Sequence, residues 1–371
     1  MKKLLFLIHD LGHGGAEKVL VNLVNHMDPQ KFDITVIALF GGGVNEQFLK
    51  PHIHYRTVFS KPFRGNSHFM KLFSSKQLHS WIVKEHYDIE IAYLEGPSAR
   101  IISGCLDNNT KLVSWIHSNL KSPKQLACAF CSYNEAKASY TRFHKIIGVS
   151  QTVVDDFKSL FGQDLPMEVL YNTNESDRII QLSNQPIPDR LLSSEEINLV
   201  GVGKLVHNKG FHRIIPIIQK LRNEGIPAHL YLLGEGPMRG ELEALAQTCN
   251  VSDAVTFLGY QTNPYRYVKA CDLYVCSSYS EGFSTAATEA LIVGTPVCTV
   301  EVSGMREMLG NNEYGVICEN KDEALYNGIK RLLTDSELLT HYKRKADQRG
   351  NVFSSEKTVT AVEEMLLNLY E

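Results

Sequence analysis

The sequence predicts an α/β protein made of two Rossmann-like, doubly wound parallel-sheet domains facing a central cleft. Three observations carry this. Short apolar runs alternate with amphipathic stretches along the whole chain, the pattern of strands buried on both faces and helices covering them. The alternation halts at a polar, proline-containing stretch, residues 181–196, and then starts afresh. Apolar runs in both halves lead into glycine-containing loops, and doubly wound sheets bind ligands just outside the carboxyl ends of their strands.

The elements follow in order. Leu4–Ile8 is the first run, followed by Gly12-His13-Gly14-Gly15 and a helical stretch over Ala16–Met27 with Val19, Leu20, Leu23 and Val24 on one face. Ile34–Leu39, Ile89–Tyr93, Lys111–Ile116 and Lys145–Val149 continue the first sheet. Ile197–Val202, His229–Leu233, Ala254–Leu258, Leu273–Cys276 and Pro296–Val300 build the second, with helices such as Met238–Cys249 and Ser284–Val293 between them. The domains are residues 1–180 and 181–352. The last segment, 353–371, reads as an amphipathic helix with Val359, Val362, Met365 and Leu366 as its stripe, crossing back to the first domain.

Composition removes several classes. The 371 residues are 43% hydrophobic and 21% charged, which excludes a disordered chain, a collagen and a small disulfide scaffold. The net charge of −3 offers no global field for nucleic acid, but it divides into +4 over residues 1–172 and −7 over the rest. The 8 cysteines are scattered and read as reduced, buried thiols. Cys128 and Cys131 form a CxxC with no second pair to complete a metal site. Leu4–Ile8 is too short for a signal-peptide core, and no apolar run reaches the roughly 18 residues of a membrane span, so a cytoplasmic location is expected.

Four motifs carry candidate chemistry. Gly12–Glu17 lies between a strand and a helix, where backbone N–H groups can meet an anion, although a tight turn explains the glycines almost as well. Lys204 and Lys209 flank the loop after the strand Ile197–Val202, and two ammonium groups there suit a diphosphate, although two solvated surface lysines explain them equally well. Glu281 and Glu289 form an E-x7-E pair. The same spacing recurs at Glu235/Glu243 and Glu356/Glu364, so context decides: only Glu281 sits between an apolar strand and a Gly-Phe-Ser turn that opens a helix. His117 ends the strand Lys111–Ile116, where it can donate a hydrogen bond to a sugar hydroxyl or exchange a proton near neutral pH; a core or rim histidine is the competing reading.

Together these segments resemble the family 4 retaining glycosyltransferases of the GT-B fold, of the bacterial capsule, exopolysaccharide and lipopolysaccharide type. The resemblance spans nearly the whole chain: Gly14-Gly15-Ala16-Glu17, His117-Ser118, Gly148-Val149-Ser150, Tyr171-Asn172, Gly203 to Gly210, Gly234-Glu235-Gly236-Pro237 and, most specifically, EGFSTAATEALIVGTPV over 281–297. It implies that Lys204 and Lys209 hold a donor diphosphate and that Glu281 touches the transferred sugar beside the backbone of Gly282, Phe283 and Ser284. Glu289 would bind ribose hydroxyls, Gly234 and Glu235 would flank the base, His117 would bond the donor sugar, and Gly15 would approach the phosphate. Glu281, His117 and Lys209 form the implied catalytic set. Lys204 stands where the family carries arginine, so a point charge replaces a bidentate fork. The segment after Asn172 also departs from the family pattern.

The expected reaction is transfer of a hexose from a nucleotide-sugar, of the UDP type, to a sugar hydroxyl, with retention at the anomeric carbon. The sequence contains no DxD, so no metal and no other cofactor is expected. The acceptor is expected to be a glycan or lipid-linked glycan, because residues 47–84 hold Lys50, Arg56, Lys61, Arg64, Lys71, Lys76 and Lys84 and no acid, interleaved with Phe59, Phe63, Phe69, Phe73 and Trp81. That composition suits an anionic membrane surface and a peripheral position at the inner face of the cell membrane. An ordinary basic rim is the competing reading; no nucleic-acid module accompanies the segment. A nucleotide-sugar epimerase of the same fold and a non-catalytic nucleotide-sugar sensor stand as alternative functions.

Overall fold

The computed structural model describes residues 1–370 apart from 13, 64, 162–164, 188–191, 193 and 194. It divides into two compact units, Met1–Asn174 with Ser355–Glu371, and Glu175–Ser354. The division falls six residues before the expected boundary because residues 176–183, expected to close the first domain and open a linker, form a helix, Ser176–Ser183, that packs within the second unit. Within the rest of the expected linker, residues 188–191, 193 and 194 lie outside the described residues.

In the first unit the strands are β1 (Lys2–Ile8), β2 (Phe32–Phe40), β3 (His54–Phe59), β4 (Ile89–Tyr93), β5 (Lys111–Ile116), β6 (Lys145–Gly148) and β7 (Met167–Val169). They form one parallel sheet in the order β3-β2-β1-β4-β5-β6-β7. Leu4, Phe6, Ile89, Ile91 and Val113 are fully buried, as continuous apolar strands require when helices cover both faces. The sheet order reverses between β1 and β4, so the crevice of a doubly wound sheet opens at their carboxyl ends. The terminal helix Ser355–Leu367 belongs to this unit and buries Val359, Val362, Met365 and Leu366. Its buried Glu363 accepts from Asp28 N at 2.7 Å and Lys31 Nζ at 3.0 Å.

The second unit holds β8 (Ile197–Val202), β9 (Ala228–Leu233), β10 (Val255–Gly259), β11 (Leu273–Cys276), β12 (Val297–Val300) and β13 (Val316–Cys318). These are parallel in the order β10-β9-β8-β11-β12-β13, with the reversal between β8 and β11. Its core gathers Leu199, Ile214, Ile218, Leu230, Leu232, Leu273, Ile329 and Leu332. The strands β3, β7 and β13 were not expected from the sequence. Two cysteines correct the expectation of buried thiols: Cys128 and Cys131 are exposed.

Candidate active site

The loops after β8, β9 and β11 converge in the second unit. After β8 the chain passes Gly203 and Lys204 to a single 3-10 turn, His207–Lys209, closed by Gly210 at φ +67°. That left-handed turn is available to glycine at little cost. Close approach also demands it, since a Cβ on Gly210 would lie 2.2 Å from the carbonyl oxygen of Ser277 after β11. The two loops are pinned by Tyr279 N to Asn208 O at 2.8 Å, Asn208 Nδ2 to Ser280 O at 2.9 Å and Ser277 Oγ to Lys209 O at 3.0 Å. Lys209 Nζ therefore reaches Glu281 Oε1 at 2.6 Å, and Ser278 Oγ donates to the same oxygen at 2.6 Å. This joins two of the sequence-predicted residues directly. Ser278 had no motif to mark it.

Lys204 is exposed on the same loop and, among the described residues, has no ion-pair partner. Gly234, at φ +139°, lets the turn after β9 lie against β8's loop; a Cβ there would sit 1.9 Å from Gly203 O. Glu235 is exposed and paired with Arg239 at 2.8 Å, which in turn holds Glu243 at 3.0 Å. Glu235 and Glu243 are thus joined through Arg239 on the solvent-exposed surface.

The Gly282-Phe283-Ser284 turn enters the helix Thr285–Ile292, capped by Ser284 Oγ, which accepts from Ala287 N at 3.4 Å. Phe283 is buried against Phe353, so its ring serves packing. Glu289, 8% exposed on that helix, accepts from Tyr265 Oη at 3.2 Å. Glu281 and Glu289 act on a common neighbour: burial, then the charges of Cys276, Glu281 and Glu289, hold the Tyr274 phenol far above its ordinary range. Tyr265 comes from a helix 24 residues upstream and carries no sequence signal. Arg213 is another unforeseen partner. It is 3% exposed and donates to Asp322 at 2.6 Å, Asn320 at 2.7 Å and Ser277 O at 2.9 Å, bracing the β11 loop from below.

In the first unit, Gly14 precedes and Gly15 opens the helix Gly15–His26 after β1; His13 lies outside the described residues. The Glu17 carboxyl covers Gly14, where a Cβ would lie 1.9 Å from Oε2, and its pKa is raised chiefly by burial and further by Asp10. His117 follows β5 and packs tilted against Tyr93, 4.7 Å between ring centroids, while its backbone N–H donates to Glu95 Oε2 at 3.0 Å. Desolvation pushes the imidazole pKa down to about 3. This corrects the expected proton exchange near neutral pH: a ring that stays neutral can only give or take hydrogen bonds. Its Nε2 is enclosed and lacks a partner among the described residues.

Among the described residues, one set of metal-type donors converges, His79, Glu90 and Cys105. The acid already meets His79 Nε2 at 2.8 Å, and Glu90 stands near the amino end of β4, away from the carboxyl-end loops described above.

Two units of this topology define a class of doubly wound α/β proteins whose loops at the sheet switch points are the place for a ligand. The family model of glycosyltransferase family 4 matches residues 13–178 and that of glycosyl transferases group 1 matches residues 185–349. The chain belongs to this family of glycosyltransferases, with the GT-B fold. A Campylobacter jejuni relative, N-acetylgalactosamine-N,N'-diacetylbacillosaminyl-diphospho-undecaprenol 4-alpha-N-acetylgalactosaminyltransferase, is 28% identical over 96% of this chain and 97% of its own. The lipopolysaccharide core biosynthesis glycosyltransferase LpsD of Rhizobium meliloti is 25% identical over 95% and 94%. Among solved structures, HepE of Anabaena in complex with UDP superposes with a TM-score of 0.79 at 20% identity, over 99% of this chain and 100% of that one. WaaG, a glycosyltransferase involved in lipopolysaccharide biosynthesis, superposes with 0.71 at 16%, over 98% and 99%.

Proposed function

We propose that the protein transfers a hexose from a UDP-sugar to a sugar hydroxyl of a lipid-linked glycan, with retention and without a metal. The observation that carries this is the Lys209–Glu281–Ser278 cluster at the switch point of the second sheet, with Lys204 exposed beside it. Departure of a nucleoside diphosphate develops negative charge, and preorganised cations are the usual way to stabilise it. Lys204 and Lys209 supply two. Glu281 stands ready for the transferred sugar, and Glu289, fixed by Tyr265, for the ribose. His117, held neutral, serves as a hydrogen-bonding group to the sugar. The leaving phosphate takes the acceptor's proton, as a front-face retaining reaction allows. The UDP complex of HepE and the diphospho-undecaprenol in the Campylobacter relative's name favour this donor and acceptor class.

The test is incubation of UDP-hexoses and a diphosphate-lipid sugar acceptor with and without EDTA, with NMR of the product anomeric centre. Turnover with retention, indifferent to EDTA, is expected. Inversion, or loss restored by divalent metal, overturns those two parts of the proposal; isomerisation of the donor indicates an epimerase, and binding alone a sensor. In the same assay Glu289→Gln is expected to raise the donor KM roughly tenfold to a hundredfold with little change in kcat, since hydrogen bonds to a charged group are worth about 1.5–3 kcal/mol.

The lipid surface is proposed from the segment 47–84. Phe59, Phe63, Phe69 and Phe73 form a chain of edge-to-face rings with centroids 5.3, 5.9 and 5.4 Å apart, and Trp81 closes on Phe59 at 5.7 Å. Phe63, Trp81 and Leu72 are exposed, as are Lys61, Lys76 and Lys84; Arg64 lies outside the described residues. Arg56, Lys50 and Lys84 are engaged already, with Glu85 at 3.7 Å, Asn25 O at 3.0 Å and Ser80 O at 2.9 Å. Each free basic group near an anionic surface is worth about 1 kcal/mol at low salt. Sedimentation with anionic vesicles is expected to carry the protein down at low salt and release it at high salt. Equal binding to neutral vesicles removes the electrostatic part.

A further inference from the structure

Beside the Lys209–Glu281 pair stand three rings that the proposed reaction does not use. His207 lies flat on Tyr279, centroids 5.2 Å apart and 8° from parallel, and 4.9 Å from His212. His212 Nε2 is 3.0 Å from Tyr279 Oη, and Arg213 lies 4.8 Å from the Tyr279 ring. His207 and His212 bracket Lys209 and Gly210 in sequence, and Tyr279 is two residues before Glu281. The rings thus span the same two loops that carry the pair.

We propose that His207, His212 and Tyr279 form a clasp that positions Lys209 against Glu281. The inference rests on the reading of that pair as the donor site. Tyr279 carries the contact: one hydroxyl and one ring face hold both histidines, so the lysine loop cannot shift without unstacking the ring or breaking the hydrogen bond.

The clasp has a built-in protonation state. His212 Nδ1 is enclosed and lacks a partner among the described residues. A bare lone pair there costs less than an unpaired N–H, so the neutral tautomer with Nε2–H donating to Tyr279 Oη is the one that fits. Protonation would force an N–H onto Nδ1 with no acceptor, facing His207 and Arg213. Burial, then the charges of His207 and Arg213, hold the His212 pKa below the ordinary imidazole range, with only Asp322 opposing. The sign follows. The clasp contributes fully above the ordinary imidazole pKa and is lost as pH falls through the lowered value in the folded protein.

The experiment compares the full-length wild type, Tyr279→Phe and His212→Gln. Tyr279→Phe keeps the ring and removes the hydroxyl, so kcat is expected to fall about threefold to tenfold with a smaller change in donor KM. His212→Gln is expected to flatten the acid side of the kcat profile relative to wild type. Two readouts need no turnover: a His212 imidazole titration by NMR, moved in Tyr279→Phe, and an acid-induced fall in melting temperature that shrinks in His212→Gln. Wild-type kcat in Tyr279→Phe, with an unchanged acid limb and melting difference in His212→Gln, overturns the clasp. A wild type that binds but does not turn over counts against the proposed function alone, and the NMR and melting arms still decide the clasp.

Discussion

Glu281→Gln is expected to lower kcat by about a hundredfold or more, the usual cost of removing one preorganised charged group from a transfer site. The affinity for free nucleoside diphosphate is expected to stay within about threefold, because the group meets the sugar rather than the nucleotide. The geometry sharpens this. Glu281 Oε1 takes hydrogen bonds from both Lys209 Nζ and Ser278 Oγ, each at 2.6 Å, and the carboxylate side is only 12% exposed. Gln preserves shape and can still accept through its carbonyl oxygen, so the fold survives. The negative charge that faces the developing positive charge at the anomeric carbon is what disappears. Lys209 is then less restrained and free to turn to the diphosphate, so any change in nucleotide affinity should be toward tighter binding. Steady-state kinetics with nucleotide titration decides it. The double variant Glu356→Gln/Glu364→Gln, on the exposed face of the terminal helix, sets the baseline. Wild-type kcat in Glu281→Gln, or an equal loss in the control, means that the wrong glutamates were chosen.

Gly210→Ala is expected to damage the second unit strongly. Two costs combine. Its φ of +67° lies in the left-handed region, where a non-glycine residue costs about 1–2 kcal/mol. The added Cβ would also lie 2.2 Å from Ser277 O, a backbone atom in a loop braced by Arg213 and unable to swing away. Together these suggest about 2–4 kcal/mol of destabilisation. At about 2–4 °C per kcal/mol for a unit of this size, the melting temperature should fall by roughly 4–16 °C. Activity should fall further than stability, because relief of the clash parts the loop of Lys209 from that of Glu281. Gly225→Ala separates the two costs: φ is +82° there but nothing lies within 4 Å of the new Cβ, so only the smaller backbone strain is expected. Equal melting temperatures for the two variants would show that close approach at Gly210 is unimportant.

Most strands that were legible in the sequence have both faces covered, although the edge strand β10 was legible as well. β1, β4, β5, β8, β9 and β11 are largely apolar runs because helices bury each side, and such runs announce themselves. β3, β7 and β13 stand at the edges of their sheets and are only partly covered; β3 and β7 are mixed in composition and β13 is only three residues long, so none carries such a signal. The same holds for Ser176–Ser183, a polar helix whose reason to form is its packing in the second unit. In the site, Lys209, Glu281 and Glu289 were legible because their spacing from strand ends and glycine turns is local. Ser278, Tyr265, Arg213 and Glu95 were not, since each acts on a residue or loop that only folding brings near.

What the sequence determined by itself was the alternation that makes two parallel sheets, the loops on which chemistry would sit, and the residue types there. Those are consequences of period, burial and turn chemistry along a few neighbouring residues. The tertiary structure alone decided which lysine meets which glutamate, and that burial holds the His117 pKa far below its ordinary value. Both depend on desolvation and on distances between groups far apart in the chain. Histidine's ordinary pKa belongs to its side chain, but the value of about 3 belongs to the enclosure around it.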